Sequence, residues 1–177
     1  MRKLFIAVGI VVLVVILALI PLPFESTSKI VSSVFIARRR EIVFDYVTTP
    51  ANWPIWHPSS LSVHGATDHP LMPNEQVTEN YKVAGHTGVA VWTVTERSFP
   101  ERWTITAIVD GRNAGQVRYV LSLEGEGTQF TREFLYHPRS LFTMAFDRIS
   151  IRAQINAEST QAVEQLKAQL ESAGPRL

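Results

Sequence analysis

Hydrophobic and polar positions divide the chain into three zones, of which the first is an unbroken apolar run. Residues 4–20 read LFIAVGIVVLVVILALI, without a charged or polar side chain. An apolar helix of roughly 20 residues crosses the hydrocarbon core of a bilayer. We therefore predict that residues 1–24 form an N-terminal transmembrane anchor. The connector that follows, residues 25–28, is short enough to keep the next domain close to the membrane surface.

A cleaved signal peptide is the alternative for this segment, because Arg2 and Lys3 precede the apolar run. The apolar region of a signal peptide usually has about 7–15 residues and ends at a small-x-small cleavage site. Here the run is longer, and the following ALIPLPFES contains no convincing site, so we favour a retained anchor.

Charge at the two ends of the anchor bears on its orientation. Arg2 and Lys3 favour a cytoplasmic N-terminus, whereas Lys29 and the arginines at 38–40 place positive charge on the other side. We expect those arginines to belong to the folded domain, where they would count little. This predicts a single-pass protein of the cell membrane with an extracytoplasmic soluble domain.

The second zone begins with KIVSSVFIA, which has the composition of a strand, and continues with REIVFDYVTT, which has helical spacing up to Pro50. Pro54 and Pro58 limit NWPIWHP to a short helical turn or two, because each removes a backbone donor and restricts the residue before it. Strand-like runs separated by turn sequences follow: LSVHGAT, EQVTENYKVAG, GVAVWTVTERS, ERWTITAIVD, GQVRYVLSLEGEG and TQFTREFLYH. Connections this short imply antiparallel neighbours.

The third zone, residues 139–174, has a helical period and ends at Gly174 and Pro175. An antiparallel sheet followed by one long helix must bury its apolar face against that helix. The pattern therefore predicts one α+β domain over residues 29–174, without internal repeats.

Four segments in this order resemble the START/Bet v 1-like superfamily, also described as SRPBCC or polyketide cyclase/dehydrase-like proteins. They are VFDYVTTPANWPIWHP, WTVTERSFPERWTI, LEGEGTQFTREF and AVEQLKAQLES, and they span nearly all of the predicted soluble part. The chain is most similar to membrane-anchored bacterial members. The resemblance implies a helix-grip fold, in which a curved antiparallel sheet wraps around a long C-terminal helix and encloses a cavity. Members bind lipids, sterols, quinones, polyketides or plant hormones, and some are cyclases or hydratases, so the fold does not choose a function.

Charge and composition exclude several function classes. The formal net charge is +1, and removal of residues 1–28 leaves basic and acidic residues in equal number, which argues against a nucleic-acid partner. The basic cluster of Arg38, Arg39 and Arg40 is either a solvated helix start or a contact with anionic lipid headgroups, and we favour the first. The chain has no cysteine, which excludes disulfides, thiolate metal sites and a cysteine nucleophile.

Sequence motifs for metal or covalent chemistry are missing. The five histidines include no pair at the helical spacing of a zinc motif, and there is no G-x-S-x-G serine elbow. The stretches EGEG and DGRNAG lie between strands, without the following helix that would cradle a phosphate. We therefore predict no metal, no cofactor and no assigned catalytic residue.

The candidate site residues come from strand alternation and from NWPIWHP. Along TQFTREFLY, alternation puts the aromatic residues and Arg132 on one face, which we expect to be concave. A buried cation is costly unless it is paired, so we expect the Arg132 head to reach water at the cavity rim. Trp53 and Trp56 can gate the cavity or close the core, and His57 is expected to be a polar group at the entrance. The predicted ligand-binding residues are Trp53, Trp56, His57, Trp92, Trp103, Tyr119, Arg132, Phe134 and Tyr136.

We predict a membrane-tethered binding or carrier domain for a hydrophobic small molecule such as a lipid, quinone or polyketide-like compound. The first alternative is a cyclase, dehydratase or hydrolase that uses the same cavity, with His57 as general base beside Tyr119, Arg132 or Tyr136. The second is an accessory subunit of a larger membrane complex, bound through the anchor. The lack of a catalytic motif favours the non-enzymatic function.

Overall fold

The computed structural model describes residues 27–137 and 151–172, together with a few positions between 5 and 16. The predicted anchor, residues 1–24, lies outside the described residues apart from those positions, as do residues 25–26 of the connector and residues 138–150. Within the described portion, no helix is both long enough and apolar enough to cross a membrane.

One antiparallel sheet carries the fold. Its seven strands lie in the order β1-β7-β6-β5-β4-β3-β2, so the first and last strands pair while all other neighbours are consecutive. The strands are β1 (Ser28–Ile36), β2 (Ser60–Gly65), β3 (Gln76–Val83), β4 (His86–Ser98), β5 (Arg102–Val109), β6 (Arg112–Glu124) and β7 (Gly127–Tyr136). The helices are α1 (Arg40–Thr48), a 3₁₀ turn (Pro50–Asn52), α2 (Trp53–Trp56) and α3 (Arg152–Ser172). The predicted α+β architecture, with a C-terminal helix after the sheet, is confirmed.

Strand β1 alternates strictly between the two faces of the sheet, whereas the pairing of the central strand β5 is irregular. Buried and exposed residues alternate along all of β1, as a half-buried strand requires. Register shifts between Val94 and Glu96, and between Ala107 and Ile108, interrupt the pairing of β5 with its neighbours. Such bulges bend a strand and increase its twist. They therefore favour a curved sheet, with room between its concave face and the helices.

The proline-rich segment after α1 folds as its sequence predicts. Pro50 begins the 3₁₀ turn and Pro54 lies in the first turn of α2, where a missing backbone N–H costs nothing. The result is two short helical turns that bury Trp53 and Trp56. Their rings meet Trp103, Tyr119 and Phe130 in edge-to-face contacts, which joins α2 to the sheet.

We predicted that the basic cluster at residues 38–40 is exposed to solvent, but one of its three arginines is buried. Arg38 is only 6% exposed, and its guanidinium donates to the carbonyls of Leu170 (3.0 Å) and Glu171 (3.1 Å) at the end of α3. A cation at a helix C-terminus satisfies free carbonyls and opposes the helix dipole. Arg38 thus fixes α3 to the far end of β1, roughly 27 Å of strand from Ser28, and belongs to the folded domain as expected.

The strand directions bring several segments to one end of the sheet, here called the Ser28 edge. It comprises the Ser28–Tyr136 pair, the turns at 83–86 and 109–112, and the first turn of α3. Arg152 at the start of α3 donates to the Lys29 carbonyl at 3.1 Å, which fixes the helix at this edge. Strand β1 therefore begins, at Ser28, at the same end of the sheet as both hairpin turns.

Candidate ligand cavity

A cavity of about 300 Å³ lies between the concave face of the sheet and the helices α2 and α3. This volume is at the lower limit of the roughly 300–1,000 Å³ found for small-molecule sites. Its walls are mainly apolar: Trp53, Trp56, Tyr81, Val83, Ala90, Trp92, Ile105, Ala107, Val109, Ala114, Val117, Tyr119, Phe134, Tyr136, Ile151 and Ile155. The charged and hydrogen-bonding residues are His57, Ser59, Glu79, His86, Arg132, Glu158 and Ser159. The cavity reaches the Ser28 edge, where the 83–86 turn and Ile151 line it.

The predicted ligand-binding residues meet around this cavity with one exception. Trp53, Trp56, His57, Trp92, Tyr119, Arg132, Phe134 and Tyr136 all line it. Trp103 does not, although it shares the concave face. Its ring is fully buried, stacked on Tyr119 with centroids 5.3 Å apart and met by Trp53 at 6.1 Å. Other aromatic rings therefore cover Trp103, which makes it a core residue.

Trp53 and Trp56 serve the core and the cavity wall together. Trp56 is fully buried, and the Trp53 indole N–H donates to the Val47 carbonyl at 2.9 Å, which fixes its orientation. The Trp56 Nε1 is buried and has no hydrogen-bond partner within the described segments. Both tryptophans are held by packing on several sides, so they form a stiff wall.

Arg132 corrects the expectation that its head reaches water at the rim. The residue is 7% exposed and donates to the Ser159 hydroxyl of α3 at 2.9 Å. Tyr119 lies close enough to affect the pKa of Arg132, and the Arg132 Cζ lies 5.3 Å from the centre of the Phe134 ring. The helix covers Arg132 and supplies a hydroxyl at the point of contact, so the guanidinium stays inside. Burial lowers the pKa of Arg132, against the opposing effects of Tyr119 and Glu79.

Glu79 is a buried cavity carboxyl that the sequence analysis did not single out. It is 8% exposed and accepts a 2.7 Å hydrogen bond from the Trp92 indole N–H on the neighbouring strand. Burial raises the pKa of Glu79, while the bond from Trp92 and the charge of Arg132 act in the opposite direction. Its position was visible in the alternation of β3, because Val77 and Glu79 are the two buried residues of that strand.

His57 lines the cavity as a neutral donor. The backbone N–H of Ser59 donates to its Nδ1 at 3.2 Å, which leaves the ring proton on Nε2. Nε2 is buried and has no partner among the described residues. Burial, and then the nearby charge of Arg132, lowers the pKa of His57 well below its ordinary value. In this tautomer Nε2 carries the ring proton and has no lone pair free to accept one, which opposes the general-base role.

Tyr119 completes the polar part of the wall. Burial raises the pKa of its hydroxyl to about 12, although Arg132 acts in the opposite direction. The hydroxyl therefore keeps its proton at neutral pH. The cavity combines apolar walls with a few fixed polar atoms, which is the usual composition of a small-molecule site.

Glu158 ties the cavity rim together, and the sequence analysis did not identify it either. Its carboxylate accepts the backbone N–H of Ala84 at 3.1 and 3.3 Å and the Ser59 hydroxyl at 2.9 Å. Ala84 has a positive φ of 47° in the 83–86 turn, so this contact holds a backbone conformation that alanine seldom adopts. One helix side chain thus connects α3 to two loops at the Ser28 edge.

A second polar cluster lies outside the cavity. His69 in the loop between β2 and β3 hydrogen-bonds Asp68 at 2.9 Å and Glu75 at 3.1 Å, and these bonds raise its pKa. In the described ranges, no group of three or more histidine, aspartate or glutamate residues is placed to hold a metal ion. The cluster braces a surface loop.

Comparisons with known proteins agree with this architecture. The family model described as polyketide cyclase / dehydrase and lipid transport matches residues 27–171. No curated protein matches the chain. Among solved structures, protein Ms6760 from Mycobacterium smegmatis is 16% identical and superposes with a TM-score of 0.60, over 87% of this chain and 100% of that one.

Two further solved structures show the same fold. A START superfamily protein from Mycobacterium smegmatis is 13% identical with a TM-score of 0.59, over 82% of this chain and 99% of that one. Protein SA2116 from Staphylococcus aureus is 8% identical with a TM-score of 0.65, over 84% and 96% of the two chains. At these identities the structures establish the fold alone, whereas the family model matches most of the sequence. The chain therefore belongs to the polyketide cyclase / dehydrase and lipid transport family.

Proposed function

We propose that this protein binds a small hydrophobic molecule in the cavity and holds or carries it at a membrane surface. The observation that carries the proposal is the cavity of about 300 Å³, enclosed by aromatic and aliphatic side chains with few polar groups. Families with this fold typically bind hydrophobic ligands. The volume favours one compact molecule over a lipid with two acyl chains.

The position of the cavity supports the membrane part of the proposal. The proposal includes a single span over residues 1–24, a connector at 25–28, and one ligand-binding domain over 29–174 outside the cytoplasm. Residues 1–27 join the sheet at Ser28, and the cavity reaches the same edge through Val83, Ala84 and Ile151. A span attached there would keep the cavity mouth near the bilayer. A ligand dissolved in the bilayer would then meet the cavity at a high effective concentration.

Hydrophobic ligand binding accounts for the site better than catalysis does. A base needs a free lone pair towards the substrate, whereas the lone pair of His57 accepts the Ser59 backbone N–H. No particular observation favours the accessory-subunit alternative. Of the three functions, ligand binding therefore requires the fewest groups or partners beyond those already described.

The test is mass spectrometry of small molecules that copurify with the full chain. Native nanodiscs extracted from membranes would hold the wild type or the double variant Ala90→Leu/Ala107→Leu, which adds bulk from two neighbouring strands of the wall. We expect a hydrophobic compound that is enriched with the wild type and reduced at least about tenfold with the double variant. Equal amounts of every compound in the two samples would contradict ligand binding.

Membrane attachment needs a separate measurement. We expect the full chain to remain in the membrane fraction after carbonate extraction, and protease added to the extracytoplasmic side to digest the domain. Release by carbonate, or protection of the domain in intact spheroplasts, would contradict the proposed anchor or its orientation.

A further inference from the structure

The Arg132 guanidinium faces the cavity without a carboxylate partner. In the parts of the chain that the structure describes, no carboxylate oxygen lies within 4.0 Å of its nitrogens. Its side-chain hydrogen bond goes to the neutral Ser159 hydroxyl, the Tyr119 hydroxyl lies nearby, and its Nε is buried without a partner. A buried cation is costly unless an opposite charge compensates it. The cavity wall thus holds a guanidinium that no described carboxylate pairs directly, because Glu79 acts on it only from beyond 4.0 Å.

A second buried donor belongs to a residue that lines the same cavity. The Nε2–H of His57 has no partner among the residues described, and His57 lies close enough to feel the Arg132 charge. Buried donors in proteins are nearly always hydrogen-bonded, and exceptions often mark a functional site or a missing ligand. A guanidinium fork and an imidazole N–H together are matched by an oxygen group that carries a negative charge.

Resting on the proposed function, we propose that the cavity ligand is a small amphiphile whose polar end is a carboxylate, bound by the Arg132 guanidinium with help from His57 Nε2–H. The carboxylate enters the interior, where the Ser159 hydroxyl positions the guanidinium. The aromatic and aliphatic walls around Trp56, Ala107 and Ile155 enclose the tail.

A ligand with a cationic end would suit the same cavity less well. Glu79 and Glu158 could attract it, but the Trp92 indole N–H already donates to Glu79 at 2.7 Å, and Glu158 already accepts from Ala84 and Ser59. The fixed charge of Arg132 would repel a cation in the same space. A neutral alcohol would accept one hydrogen bond and leave the guanidinium without a directly paired negative charge. The polar groups therefore favour a carboxylate over both.

The experiment compares three ligands with one tail. Octanoate, octanol and octylammonium are titrated by calorimetry at pH 7.5 into the full chain held in phosphatidylcholine nanodiscs, with empty nanodiscs as the partition control. Hydrogen bonds to charged groups are worth enough to expect octanoate to bind about 10- to 100-fold more tightly than octanol. Octylammonium should bind most weakly.

Two variants assign the preference to Arg132. Arg132→Gln should bring octanoate and octanol to within about threefold of each other. Arg118→Gln is the matched control, because Arg118 lies on the adjacent strand with its side chain 42% exposed and 3.7 Å from Glu133. It should leave the wild-type preference unchanged.

The outcomes separate the two proposals. Octanol binding as tightly as octanoate in the wild type, or a preference for octanoate that survives in folded Arg132→Gln, refutes the carboxylate inference and leaves hydrophobic binding intact. The wild-type comparison stands by itself if Arg132→Gln fails to fold. If none of the three ligands binds the wild type and no copurified compound distinguishes the filled-cavity variant, both proposals fail.

Discussion

Replacing Ala107 with leucine should stabilise this protein, which is an unusual expectation for a buried position. Ala107 is 4% exposed and lines the cavity on β5, opposite Trp92 on one neighbouring strand and Gly115 on the other. Leucine adds three carbon atoms. If they fill empty space, each is worth about 0.8 kcal/mol of apolar burial, so the free energy of unfolding should rise by roughly 2 kcal/mol. The same atoms occupy ligand volume, so octanoate affinity should fall.

The matched control is Ala162→Leu. Ala162 is fully buried in α3 but is not among the residues that line the cavity. Added carbons there must displace packed neighbours, which typically costs about 1–3 kcal/mol. Two alanine-to-leucine changes in one protein should thus shift stability in opposite directions.

Equilibrium urea unfolding of the full chain in nanodiscs, followed by tryptophan fluorescence, measures both effects. The expected result is a higher midpoint for Ala107→Leu and a lower one for Ala162→Leu, with the slope against urea unchanged. If Ala107→Leu destabilises the protein as much as Ala162→Leu does, the space beside Ala107 is already filled. The reasoning that leads from the cavity to a ligand would then be refuted.

Three further predictions concern the rim, a surface loop and the helix end. Glu158→Ala removes the carboxylate that joins α3 to two rim loops, so stopped-flow exchange of octanoate should accelerate about tenfold or more, and an unchanged rate would exclude a gating role. The raised pKa of His69 stabilises the fold at pH values below 6.5, its ordinary pKa, and this stabilisation is lost as the pH rises through the elevated pKa. Thermal unfolding of His69→Asn, measured against pH, should lack that part of the pH dependence. Arg38→Met should lower the free energy of unfolding by about 2 kcal/mol because two carbonyls at the end of α3 lose their donor, whereas exposed Arg39→Met should change it by less than about 0.5 kcal/mol.

Local pattern determined most of the fold. Period-two alternation places the strands and their inward faces, Pro50 ends α1, and the short turns make the sheet antiparallel. The sequence predicts these features because the strand and helix periods depend on residues that are neighbours in the chain. The same alternation put Arg132 on the concave face. It also put Trp103 there, but alternation along one strand does not tell which inward residues other rings will cover.

Contacts between distant residues decided the site. Ser159, 27 positions from Arg132, covers the guanidinium and keeps it inside, and Glu158, 74 positions from Ala84, ties the rim. The periodicity of the sequence does not indicate which residue of α3 contacts which strand, since that depends on where the helix crosses the sheet. The sequence by itself determined the elements, their faces and the apolar N-terminal run. Only the tertiary structure decided that the interior is hollow and that a cation lies within it, because both depend on how well separate elements fill the space between them.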